Sequence, residues 1–156
     1  MQRGCRAALA AAVVLMAATA AFAQPQLTIG VTAPDPTPTW TFTSTSGDPV
    51  AFNQSSGVAT TFAWSTDVWP RFRIGWDVLD PADPDDPGWV NQDFDPALTS
   101  HTGPAFSQGT HAFLVVARDA VDAETWARFL ITYEQGVPTA VVGWGGLRAL
   151  LGAPGP

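Results

Sequence analysis

Apolar side chains in this chain return at every second position, in short runs broken by glycine and proline. Trp40 and Phe42 alternate with Thr39, Thr41 and Thr43, and Val50 and Phe52 follow a Gly47-Asp48-Pro49 turn. Phe62 and Trp64 alternate with Thr61, Ala63 and Ser65; Phe72, Ile74 and Trp76 alternate with Arg71, Arg73, Gly75 and Asp77. Successive side chains of a strand point to opposite faces, so period two with β-branched and aromatic residues specifies half-buried strands. No segment before residue 120 sustains the 3.6-residue period of an amphipathic helix.

Two later runs carry apolar residues on both faces. In Thr110–Asp119, His111, Phe113, Val115 and Ala117 share one side, and Ala112, Leu114 and Val116 the other. In Thr125–Glu134, Ala127, Phe129, Ile131 and Tyr133 lie opposite Trp126, Arg128, Leu130 and Thr132. The polar connection between the runs is short enough for a hairpin, so they read as adjacent central strands. About seven short strands with turn signals between them predict an all-β, antiparallel sandwich, with a barrel as the alternative.

The first residues read as a signal peptide. Arg3 and Arg6 precede an uncharged stretch from Ala7 to Ala20, and Ala21-Phe22-Ala23 sets small residues before Gln24. The stretch is shorter and more alanine-rich than the roughly 20 apolar residues of a membrane span. Cys5 precedes it, which argues against a lipid anchor. The expectation is secretion, to the periplasm or cell surface. Removing residues 1–23 leaves 133 residues (156 − 23), enough for one core and not two. That remainder has no cysteine, so packing alone must hold it. All 14 acidic residues fall in it, against five arginines (7 − 2) and no lysine, a formal charge of −9. Such a balance disfavours nucleic acid and anionic lipid, whose phosphates it repels, and permits divalent cations. Residues 24–38 hold four prolines and one apolar patch, Leu27, Ile29 and Val31, and read as a lead-in with at most an edge strand.

Gly109, His111, Phe113, Val115, Ala117 and Asp119 fall on a Gly-x-His-x-Phe-x-Val-x-Ala-x-Asp spacing, and Phe72-Arg73-Ile74-Gly75-Trp76-Asp77 precedes it. These lines resemble strands of bacterial immunoglobulin-like and fibronectin type III-like secreted modules, over roughly residues 39–134. The resemblance implies an immunoglobulin-like sandwich, a structural histidine at His111 and a strand-end role for Asp119. Two departures stand out: an insert from Asp80 to Gly103, and Val121-Asp122-Ala123 where the final turn usually has glycine or asparagine.

The insert carries the most unusual chemistry. Asp77, Asp80, Asp83, Asp85, Asp86, Asp93 and Asp95 crowd into 19 positions (77–95), with Pro81, Pro84 and Pro87 interleaved. Calcium takes six to eight oxygens, so Asp80, Asp83, Asp85 and Asp86 are candidate calcium ligands, although no EF-hand spacing is present. The other reading is a solvated acidic loop of Asp-Pro turns. Trp69, Trp89 and Trp144 fall outside the strands, and Trp69 and Trp89 are candidate ligand-binding residues, since indoles stack on sugar rings or anchor protein partners. Alternatively Trp89 folds back over its own domain. Arg71, Arg73 and Arg128 are expected to pair with nearby aspartates. No nucleophile-elbow or metal-binding histidine spacing is present, so no catalytic residue is assigned to His101, His111 or the serines. After residue 134 comes a tail in which Trp144-Gly145 and Leu147-Arg148-Ala149-Leu150 resemble a short ending of some secreted bacterial proteins. The function expected is a non-catalytic binding or structural module with a protein or glycan partner at the cell exterior. The alternatives are a calcium-supported carbohydrate-binding module and, more remotely, a hydrolase.

Overall fold

The alternating runs all become strands. The computed structural model describes residues 23–136, so residues 1–22 of the segment read as a signal peptide (1–23) and the tail from Val137, with Trp144 and Arg148, lie outside the described residues. In chain order the strands are β1 (Leu27–Ala33), β2 (Trp40–Phe42), β3 (Val50–Ser55), β4 (Thr61–Thr66), β5 (Arg71–Trp76), β6 (Ser100–Thr102), β7 (Gly109–Arg118) and β8 (Glu124–Glu134). They form two four-stranded sheets, ordered β2-β1-β4-β6 and β3-β8-β7-β5. Among the described residues no helix is long and apolar enough to cross a membrane.

The core is what the period-two pattern requires. Leu27, Ile29, Val31, Phe62 and Trp64 from the first sheet face Phe72, Ile74, Trp76, Phe113, Val115, Ala117, Ala127, Phe129, Ile131 and Tyr133 from the second. Each large side chain buried in this way contributes about 1.5–3 kcal/mol. Aromatic contacts converge on Phe129, whose ring lies 5.4 Å from Trp40, 5.6 Å from Phe42, 5.4 Å from Phe62 and 6.1 Å from Phe52. Such spacing suits tilted and edge-to-face packing.

Three features depart from the sequence reading. The supposed lead-in holds an interior strand: β1 lies between β2 and β4, and Leu27 and Ile29 are fully buried. Its prolines flank the strand and leave its ladder intact, with Pro25 before it and Pro34, Pro36 and Pro38 after. The sandwich therefore begins at Leu27 and not at residue 39. Pairing is also not wholly antiparallel, because β3 runs parallel to β8, from Val50 beside Phe129 to Ser55 beside Glu134. Finally, the acidic insert contains β6, which pairs with β4 and extends the first sheet.

The hairpin between β7 and β8 is the one the sequence predicted. Asp119 accepts from the amides of Val121 and Ala123, both at 2.9 Å. Asp122 takes the left-handed conformation usually left to glycine or asparagine (φ 63°), which a short polar side chain tolerates.

Candidate functional site

The insert is a chain of turns with an internal repeat. Asp80-Pro81-Ala82, Asp83-Pro84-Asp85 and Asp86-Pro87-Gly88 follow one another at three-residue spacing, and Asp95-Pro96-Ala97 adds a fourth copy. In each, the aspartate Oδ1 accepts from the amide two residues on, at 3.0, 2.9, 2.8 and 2.8 Å. Backbone bonds also close Asp80 to Asp83, Asp83 to Asp86 and Asp86 to Trp89. Proline fixes φ inside each turn and the carboxylate satisfies the amide that the turn leaves free.

Asp86 ties this staircase down. It is buried, and its Oδ2 accepts from the amides of Leu79 (3.0 Å) and Asp80 (2.8 Å). The amides of Asp80 and Gly88, against the opposing effect of burial, and then that of Leu79 hold its carboxyl below the ordinary value of 3.8. Its oxygens are thus committed to backbone donors. The Oδ1 atoms of Asp80 and Asp83 are occupied in the same way, and Asp80, Asp83 and Asp85 are exposed. Among the described residues no group of three acidic, histidine or cysteine side chains is placed to hold a metal ion. The four candidate calcium ligands form a turn scaffold in which one carboxylate is buried and three point to solvent.

From Asp86 onward the insert docks on β5. Trp76 donates to Gly88 (2.8 Å), Val90 to Ile74 (2.9 Å), Ile74 to the Asn91 side chain (2.9 Å), and Phe72 and Asp95 exchange two bonds (2.9 and 2.8 Å). Trp89 does not present its ring to solvent as a ligand platform. It is 8% exposed and packs with Leu114 and Val116 on the outer face of the second sheet, with Val78, Phe94 and Trp126 around them. Its indole NH donates to Asp83 (2.8 Å) and its ring lies under the Arg73 guanidinium, 4.4 Å away. Gly75 permits the approach: a Cβ there would stand 2.3 Å from Val78 and 2.8 Å from the Gly88 carbonyl. This second small core explains why the β7 run is apolar on both faces.

Trp69 has the opposite fate. It lies between β4 and β5, 98% exposed, beside a 380 Å³ groove lined chiefly by Trp64, Val68, Pro70, Phe72 and Pro96. Arg71 pairs with Asp122 at 3.3 Å, as expected, with both side chains largely exposed. Arg73 does not pair with an aspartate. It is 8% exposed and donates to the carbonyls of Asn91 (3.4 Å) and Pro84 (3.0 Å).

The histidines sit at structural junctions. Asp77, itself left-handed (φ 51°), binds His111 Nδ1 at 2.8 Å and accepts from the Ala112 amide at 2.7 Å, fastening the end of β5 to β7. Phe106 stacks on His111 at 3.8 Å. His101 Nε2 accepts from the Trp76 indole at 3.1 Å, and burial lowers its pKa from 6.5. The fold therefore favours neutral His101, and this stabilisation is full above pH 6.5 and lost as pH falls through the lower folded value. The melting temperature is expected to fall between pH 7.5 and pH 5, and His101→Gln, which keeps an acceptor and removes the titration, is expected to flatten that decline. An equally steep decline in the variant would assign the effect to other groups.

Sequence reasoning overlooked the docking role of Asp86 and Asn91 and the seat of Arg73. The repeated Asp-Pro-x triplet was the available signal for the turns. Comparison with protein-family models, with curated proteins and with solved structures finds no match to this chain.

Proposed function

We propose that this protein is a non-catalytic, extracytoplasmic binding module that engages a protein partner through the Trp69 end of its sandwich. One observation carries the reading: an indole 98% exposed at the rim of an apolar groove. Leaving so large an apolar ring in water stabilises nothing in the monomer, whereas burying it against a partner adds contact area at small entropic cost. The groove is walled mainly by tryptophan, phenylalanine, valine and proline, with Ser65, Thr66, Arg71 and Thr99 as its polar lining, and this mostly apolar surface suits the side chains of a protein partner. The charged leader from Arg3 to Ala23 supports export. An immunoglobulin-like assignment draws support from chain crossing between sheets at β4–β5 and β6–β7, from the β7–β8 hairpin, and from β3 leaving the first sheet to run parallel to the last strand.

The calcium-supported glycan reading has less to stand on, since Trp89 is buried and Asp86 is occupied by amides.

Trp69→Ala is expected to leave folding stability within about 0.5 kcal/mol of the parent. The same change is expected to weaken partner binding at least tenfold. Crosslinking from a photoreactive residue at position 69, on cells that export the protein, identifies the partner. Crosslinking to glycan alone, or unchanged partner affinity in Trp69→Ala, would overturn the reading.

A further inference from the structure

A second surface, on the outer face of the second sheet, has a different chemistry. Between the Asp-Pro turns and the outer face of the second sheet runs a groove of 640 Å³, within the roughly 300–1,000 Å³ typical of small-molecule sites. Three of the four arginines among the described residues line it: Arg71 and Arg73 on β5, and Arg118 on β7. Arg71 and Arg118 are direct cross-strand partners. Like charges in that register destabilise a sheet, so the convergence costs stability in a chain with acidic residues to spare.

The compensation inside the protein is incomplete. Asp122 engages Nη2 of Arg71, and Glu124 engages Nε and Nη2 of Arg118. Arg73 has no carboxylate partner among the described residues and is held by two carbonyls and by the rings of Trp89 and Phe94, at 4.4 and 5.7 Å. Its bonds use Nε and Nη2, which leaves Nη1 as a donor. Arg118 lies over the Phe94 ring at 4.0 Å, which fixes the plane of its guanidinium. With Nε and Nη2 given to Glu124, the donor left on this fixed plane is Nη1, as on Arg73, and two such pre-oriented donors suit the oxygens of a carboxylate. Half-buried Trp126 and exposed Pro84 add apolar wall of the kind that packs on the C–H face of a pyranose. The strongly negative remainder of the chain repels polyanions, which favours a ligand with one isolated charge.

We infer that this groove binds a sugar bearing a single carboxylate, a uronate within an otherwise neutral glycan. The site shares Arg71 with the lining of the Trp69 groove but is built on Arg73 and Arg118, and it stands whether or not the Trp69 contact exists.

The test is calorimetric titration of the full mature chain with a xylo-oligosaccharide bearing one glucuronate, against the same oligosaccharide without it. The acidic form binds, and its affinity falls as salt rises from 20 to 300 mM; the neutral form binds at least tenfold more weakly. Arg118→Gln weakens binding of the acidic form about tenfold. Asp93→Asn removes a groove-lining negative charge whose side chain makes no hydrogen bond among the described residues, and it tightens binding about threefold. This variant keeps the test informative should Arg118→Gln fold poorly. Trp69→Ala leaves the affinity unchanged. Equal binding of both oligosaccharides, no binding of either, no tightening by Asp93→Asn, or preference for a short acidic peptide over the acidic sugar would each overturn the inference.

Discussion

Replacing Phe129 with alanine is expected to destabilise the protein by about 3–5 kcal/mol. For a domain of this size that lowers the melting temperature by more than about 10 °C. The reason is its position. Phe129 is fully buried on β8, an interior strand, and its ring touches four aromatic rings contributed by β2, β3 and β4. It therefore ties the second sheet to the first and also clamps the short strand β2. Truncation leaves a void between stiff rings that cannot collapse into it, so the cavity cost adds to the lost transfer free energy. Leu79→Ala is the control: Leu79 is 87% exposed and its truncation is expected to shift stability by no more than about 0.5 kcal/mol. Chemical denaturation followed by intrinsic fluorescence separates the two. A loss below about 1 kcal/mol for Phe129→Ala would mean that the sheets are held by other contacts.

The second large effect is expected at Trp89. Alanine there removes the centre of the outer core, with a cost of about 3 kcal/mol, near the low end for tryptophan because one side of the cluster borders solvent. Location distinguishes this loss from the first. Trp89 joins the insert to Leu114 and Val116 and supports Arg73, so the insert is expected to detach while the sandwich persists. The amides of Ile74 and Trp76, which donate to Asn91 and Gly88, then gain hydrogen exchange, and a protease cuts the Asp80–Asp95 turns while Phe113 and Phe129 stay protected. A uniform rise in exchange across both sheets would instead show that the insert and sandwich unfold together.

These two positions also mark what the sequence made legible. Phe129 could be placed in the core because a period of two assigns each residue of a strand to a face. The same holds for Phe62, Ile74, Phe113 and Val115, all of which are buried where the alternation put them. Periodicity is silent on neighbours, however. It gives no reason for β3 to run parallel to β8, or for Leu27–Ala33 to lie inside a sheet, because both depend on pairing across distant parts of the chain. Trp89 shows a second limit. Residue type announces a large apolar area without saying whether solvent, a partner or the protein covers it: Trp69 and Trp89 are both ligand candidates by type, and for Trp89 the other reading, folding back over its own domain, is the one the structure shows. The deciding clue was on another strand, in Leu114 and Val116, which needed a cover that no strand of the first sheet could supply. Of the two readings of the aspartates, the loop of Asp-Pro turns is the one the hydrogen bonds bear out: an Asp-Pro-x triplet spends a carboxylate on its own backbone.

The hydrogen bonds that Phe72, Ile74 and Trp76 make to the insert have a consequence beyond this molecule. β5 closes one side of its sheet, and a bare side of that kind is a template on which a second chain can add a strand. Here its outward donors are already taken by residues 88–95, and aspartates stand along the segment that takes them. A neighbour would have to displace a folded stretch of its host and approach Asp93 and Asp95. The acidic stretch that looks least like structure thus covers a sheet edge, and a chain trimmed of it should gather into sheets more readily than the whole protein.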